Sequence, residues 1–401
     1  MTYLKLEAGN YKLIEVSSPK SYLINTEGLP FTIGDNTHYN YTTYGAFITV
    51  YFKDTPIKGQ VEVNKTGEQF VPNDGSFSYE KIALENVVYN IYADEDIKTA
   101  DGKHLYYSKG TLVDVITTDK NGYAISKKLP LGKYYIVEVK TNSTHVLDSK
   151  EYHFELTEID NKTAVVYESF SILNKYKKGE LEFTKTDLIS GEAIANTKIE
   201  IYTESDELLF SGITDKDGKI VIKNLPVNQK FYLVESEPAT GFVKTDEKIY
   251  FEIKSNGEVV KASMTNKPIT GKLEFTKTDI STSEPLPNTL IEIYNAKTNE
   301  LVFSGRTDDK GMIVIEELKY NDYVLYEKEA PESYLLNEEP MYFSIKENGE
   351  IVKAIMTNEK IIVEVPNTEI NDNFLVEIIS GIICIFGIGI VIYARKKSEE
   401  E

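Results

Sequence analysis

A nine-residue string, GELEFTKTD from Gly179, returns as GKLEFTKTD from Gly271, 92 residues later. Three more landmarks repeat in the same order. FSGITDKDGKIVI from Phe210 matches FSGRTDDKGMIVI from Phe303, FYLVESEP from Phe231 matches YVLYEKEAP from Tyr323, and KASMTNK from Lys261 matches KAIMTNE from Lys353. Self-similarity at a fixed period restricts the chain to a tandem array in which each copy is one structural unit. A diverged copy comes before these two, with GQVEVNKTG from Gly59, TTDKNGYAI from Thr117, YYIVEV from Tyr134 and SILNKYKKG ending at Gly179. It carries an insertion at roughly 94–112. Residues 1–58 match only the second half of a unit, from LEAGNYKLIEVSSPKSYLIN (Leu6) to VYFKDTPIKG, and read as a unit cut open by a truncated gene model or partial sequence. The expected divisions are 1–58, 59–178, 179–270 and 271–362, then a linker at 363–373, an apolar span at 374–394 and a tail at 395–401.

Within a unit, apolar and polar residues alternate with period two, bounded by Gly, Asp, Asn and Pro turns. Asp217-Gly218, Asn256-Gly257 and Asn348-Gly349 are hairpin-type dipeptides. No stretch before the apolar span holds a helical period. Short strands with regular turns over about 90 residues predict an all-β chain of antiparallel sandwiches. The single cysteine, Cys384, excludes an internal disulfide, so small exterior units of this kind need adequate cores or another staple.

The alternation also places polar residues on apolar faces. Lys185 shares a face with Leu181 and Phe183, Lys277 with Leu273 and Phe275, and Lys65 with Val61 and Val63. Glu235 follows Phe231 and Leu233, Glu327 follows Tyr323 and Leu325, Glu138 follows Tyr134 and Ile136, and Glu15 follows Tyr11 and Leu13. Asn266, Asn358 and Asn174 close the units in the same way, and Asp54 holds that place in the first, incomplete unit. The plain reading of one such lysine is the end of an inward run whose ammonium reaches solvent. Three coincident residues in each of three units favour chemistry. A desolvated lysine loses its charge more readily and becomes a nucleophile. A neighbouring glutamic acid can polarise an amide and shuttle protons. Attack on the Asn side-chain carbonyl then expels ammonia and leaves an amide between strands, a single-turnover reaction of the protein on itself.

The run G-x-L-x-F-T-K-T-D, T-D-x-x-G, Y-x-L-x-E-x-x-x-P and the closing M-T-N resembles the SpaA/Cna-B-type repeat of pilins and collagen-adhesin stalks, over nearly all of residues 1–362. The resemblance implies transthyretin-like, inverse-immunoglobulin sandwiches and intramolecular Lys–Asn isopeptide bonds assisted by Glu. It assigns Lys65, Glu138 and Asn174; Lys185, Glu235 and Asn266; and Lys277, Glu327 and Asn358 to that role. The incomplete unit keeps Glu15 and Asp54 without a lysine strand, so it is expected to stay uncrosslinked and poorly folded. Glu235 precedes Pro238 by three positions and Glu327 precedes Pro331 by four, a departure in loop length.

From Phe374 to Ala394 the chain is apolar and long enough for one transmembrane helix, and Arg395, Lys396 and Lys397 put its far end in the cytoplasm. Just before it, Val365-Pro366-Asn367-Thr368-Glu369 resembles a sortase sorting signal, matching at Pro366 and Thr368 and departing at Val365 and Glu369. A simple membrane-tethered protein is the alternative. The N-terminus shows no secretory signal. A net charge of −20 argues against nucleic acid as a partner. His38, His104, His145 and His153 lack metal spacing, and no nucleophile or phosphate-loop motif marks an enzyme, a cofactor or a metal site. The resulting expectation is a structural stalk or accessory pilin-type subunit on a Gram-positive-type cell surface. Its partners would be sortase, peptidoglycan or pilin subunits, and the membrane. The alternative is an adhesin whose second unit, through its insertion, binds a host or matrix ligand.

Overall fold

The computed structural model describes residues 5–35, 37–43 and 45–363. Pro366, Thr368, the span at 374–394 and the tail lie outside the described residues. Among those described, every regular element is a strand, and no helix is long and apolar enough to cross a membrane.

Alternation gives each strand one buried face, and two sheets close over those faces. In the unit beginning at Lys178, the strand Lys178–Asp187 buries Gly179, Leu181, Phe183 and Lys185 in strict alternation. It lies between Lys219–Pro226 and Val259–Asn266 in a three-stranded sheet. The facing sheet has four strands in the order Leu208–Ile213, Lys198–Thr203, Lys230–Glu237, Ile249–Glu252. The last repeat copies this arrangement. Thr270–Asp279 sits between Met312–Lys319 and Ile351–Asn358, facing Leu301–Arg306, Leu290–Asn295, Asn321–Glu329 and Met341–Ile345.

The expectation of antiparallel pairing fails at one place in each of the three complete units. The first and last strands run parallel, with Lys185 opposite Met264 and Asn266 two residues further along the same face. The same register sets Lys277 opposite Met356 and Lys65 opposite Ile172. Parallel neighbours need a long connection, and the rest of the unit supplies it.

The unit before these is enlarged twice. Residues 97–107 form a small hairpin, Ile97–Lys98 with Leu105–Tyr107, where the sequence shows an insertion. A second enlargement escaped the sequence reading. The strand Lys58–Asn73 has 16 residues against 10 for its counterparts, and it folds back through Ser76–Ala83. From Lys65 to Tyr89 is 24 residues, whereas Lys185 to Ile199 and Lys277 to Ile291 are each 14.

Ahead of Ile57, none of the described residues is buried. Strands Gly9–Leu13 and Leu29–Ile33 pair there, but no core closes over them.

Candidate functional site

The lysine is fixed by its backbone before its side chain matters. In each complete unit its N–H donates to the carbonyl of a turn glycine: Lys65 to Gly122 at 2.7 Å, Lys185 to Gly218 at 2.8 Å, Lys277 to Gly311 at 2.8 Å. Its own carbonyl accepts from Leu84, Ile194 or Leu286. The three glycines have φ of 74°, 70° and 69°, and a Cβ on them would lie 2.1–2.4 Å from the lysine carbonyl oxygen. Glycine is required here both for the left-handed backbone and for the close approach. The T-D-x-x-G landmark was visible in the sequence; its role in seating the lysine was not.

The nine side chains of the three trios are all buried. The lysines are 0–1% exposed, the asparagines 1–2%, and the glutamates 2–4%. Lysine and asparagine come from the parallel pair in one sheet, and glutamate crosses the core from the facing sheet. In the unit from Lys58 to Asn174, Lys65 Nζ donates to Asn174 Oδ1 at 2.6 Å and pairs with Glu138 Oε2 at 2.7 Å. Asn174 Nδ2 donates to Glu138 Oε1 at 2.5 Å and to Thr141 Oγ1 at 3.0 Å. In the next unit Lys185 Nζ donates to Asn266 Oδ1 at 2.6 Å, and Glu235 Oε1 lies 2.5 Å from Asn266 Nδ2 and 3.4 Å from Lys185 Nζ.

The last unit is set differently. Lys277 Nζ donates to Glu327 Oε2 at 2.9 Å and to the Thr357 carbonyl at 3.4 Å. Asn358 Nδ2 donates to Glu327 Oε1 at 2.6 Å, but Asn358 Oδ1 is buried without a partner. The trio has converged, yet the amine is not aimed at the carboxamide oxygen.

Each glutamate is also held by a backbone N–H ten residues on: Asp148 for Glu138, Thr245 for Glu235, and Asn337 for Glu327. Asn25 does the same for Glu15 at 2.6 Å. Glu15 thus keeps the local setting of its counterparts, while Asp54 has an orphaned Oδ1. No lysine is brought to either among the described residues.

Desolvation pushes the amines of Lys65 and Lys185 below the ordinary lysine range, against the opposing pull of Glu138 and Glu235. Lys277, the most deeply desolvated, is pushed down to about 8. Burial disfavours the charged amine, and the carboxylate only partly restores it. A neutral amine, an amide carbonyl and a bridging carboxylate are the components of an acyl transfer.

Two neighbours were missed from sequence. Tyr89, fully buried, donates its hydroxyl to Glu138 Oε2 at 3.1 Å. It stands opposite Glu138 in the register, where the other units have Ile199 and Ile291. Thr141 holds the amide nitrogen of Asn174. Each shows as one polar residue in place of an apolar or unmatched one, a signal too small to read alone. No group of His, Cys, Asp or Glu fit for a metal occurs among the described residues.

Comparison with known proteins gives three matches to SpaA, a prealbumin-like fold domain, at residues 77–169, 179–268 and 271–360. The trypsin-resistant surface T6 protein of Streptococcus pyogenes serotype M6 is 26% identical over 156 residues, covering 35% of this chain and 28% of that protein. The Bacillus anthracis TIE protein superposes with a TM-score of 0.59 at 30% identity, covering 76% of this chain and 51% of that one. The chain thus spans about half of one relative and under a third of the other. The three matched stretches take in more than half of the sequence, the second and third spanning their sandwiches and the first falling inside its own, after the strand Lys58–Asn73, so the chain belongs to the SpaA family of prealbumin-like fold domains.

Proposed function

We propose that the chain is a cell-surface stalk or accessory pilin-type subunit whose three complete sandwiches staple themselves with Lys–Asn isopeptide bonds. The observation that carries this reading is the 2.6 Å approach of lysine Nζ to the asparagine carboxamide in two separate units, with one buried carboxylate touching both reactants. In the reaction, the glutamate takes the proton from the lysine ammonium. The neutral Nζ attacks Cγ of the asparagine, and a C–N bond forms. The glutamic acid then protonates Nδ2 and, as carboxylate again, takes the second proton from the now cationic attacking nitrogen. The C–Nδ2 bond breaks, and ammonia leaves, carrying that last proton away as ammonium. Charge, atoms and electrons balance without a cofactor. Burial supplies proximity, since folding holds both reactants in contact.

The bond would join the first and last strands of each unit. A pull on the chain ends would then meet a covalent link in place of a hydrogen-bonded ladder. Tandem mass spectrometry of a digest tests this directly. A peptide pair joined through Lys185 and Asn266 is expected; recovery of both as separate, unmodified peptides from folded protein would refute it.

Wall attachment is the second part of the proposal. Its support is sequence order alone: Pro366 and Thr368, then the apolar span, then Arg395-Lys396-Lys397. Sortase would cleave after Thr368 and pass the acyl group to a peptidoglycan or pilin amine. Protein released from walls should end at Thr368, and an intact C-terminus there would favour a membrane tether.

A further inference from the structure

The long hairpin absent from the other two units leaves its own sandwich. Strand Lys58–Asn73 continues eight residues past Lys65, turns at Gly75 and returns as Ser76–Ala83 in unbroken antiparallel register from Thr66–Ala83 to Asn73–Ser76. Its apolar side chains do not pack with their own core. Phe70, 8% exposed, belongs to the cluster of Leu181, Phe183, Ile199 and Leu209, the core of the following unit, and Phe77 and Tyr79 pack against the same cluster. The tip is bonded too: Gly75 N–H donates to the Leu208 carbonyl at 3.0 Å, and the Tyr79 hydroxyl to the Asn224 carbonyl at 2.9 Å. At the base, Lys178 Nζ pairs with Glu68 at 2.8 Å and lies 3.7 Å from the centre of the Tyr79 ring.

Leu208 lies on the outer strand of the next unit's four-stranded sheet, so the hairpin covers an otherwise open edge. Its counterpart in the last unit is uncovered. Leu209 is 1% exposed, whereas Val302, at the matching position, is 45% exposed. In the middle unit, which would have to supply such a cover, the chain after Asp187 makes a tight turn closed by Ile189 and Ser190 N–H bonds to the Asp187 carboxylate, and it sends no hairpin forward.

We propose that residues 66–83 are a lock between units, which makes 58–266 one rigid body and leaves the joint near residue 270 as the compliant one. Adjacent domains move relative to one another unless a large apolar interface stops them. Here three aromatic rings are anchored in the neighbour's core, and two backbone carbonyls of that neighbour are held by the hairpin. The root of the hairpin is the strand that carries Lys65, so its base is positioned by that sandwich. The lock is independent of whether any amide bond forms.

The test is the spread of inter-unit distances in the full chain carrying Cys384→Ser. Spin labels go on three exposed positions that correspond between units, Lys150→Cys, Glu247→Cys and Glu339→Cys, two at a time. Double electron–electron resonance should give a narrow distribution for 150–247 and a broad one for 247–339. Phe70→Ser/Tyr79→Ser should widen the first to the breadth of the second. Lys178→Glu, which leaves both cores intact and sets two like charges together at Glu68, should widen it in part. Equal breadths in the unsubstituted chain, or an unchanged 150–247 distribution in both variants, would overturn the lock.

Discussion

Lys277 is the residue at which burial is most costly. Its amine titrates at about 8 in the folded unit against 10.5 for a solvated lysine. Between those values the unfolded chain binds more protons than the folded one, so stability must rise with pH across that window. An Asn358→Ala chain, which has no acceptor, should therefore gain thermal stability from pH 8 towards pH 10, as read by calorimetry. The further change Lys277→Met should flatten that rise. Glu235 separates chemistry from packing. Glu235→Gln keeps the shape of the side chain but removes the proton shuttle, and should slow linkage of Lys185 to Asn266 by about 100-fold or more, followed by mass during refolding. Glu235→Ala instead strands a buried ammonium and should cost about 3–5 kcal/mol of stability by denaturant titration of the unlinked chain.

Among the elements, the turn glycines matter most, because they hold the lysine strand by its backbone. Gly218→Ala forces a left-handed backbone on a residue with a side chain, and its Cβ would meet the Lys185 carbonyl oxygen at 2.4 Å. A loss of about 2 kcal/mol is expected from urea titration, with slower linkage in that unit alone. Much of this was legible in the sequence. Period-two alternation placed Lys65, Lys185 and Lys277 on inward faces, and the structure buries all three. It could not show that the first and last strands pair in parallel, because alternation reports which face a residue takes and not which neighbour it meets. Nor did it reveal the hairpin at 66–83. Phe70, Phe77 and Tyr79 enter a core whose other members begin at Leu181, and a local pattern carries no sign of a partner so far along the chain.

At the scale of the whole molecule, three complete sandwiches follow one another along the chain, and their trios do not start from the same arrangement. The units should not react at the same rate. Lys65 and Lys185 already face a carboxamide oxygen, while Lys277 must leave Glu327 and the Thr357 carbonyl before it can attack, so the last unit should link most slowly after refolding from denaturant. One measurement tests the central claim most directly, the intact mass of the purified full chain under denaturing conditions. Three amide bonds, each expelling one ammonia of about 17 Da, predict a mass about 51 Da below that of the sequence. Lys185→Ala should bring back one of the three losses after allowance for the substitution itself. A mass equal to that of the unmodified sequence, in protein shown to be folded before denaturation, would contradict the account.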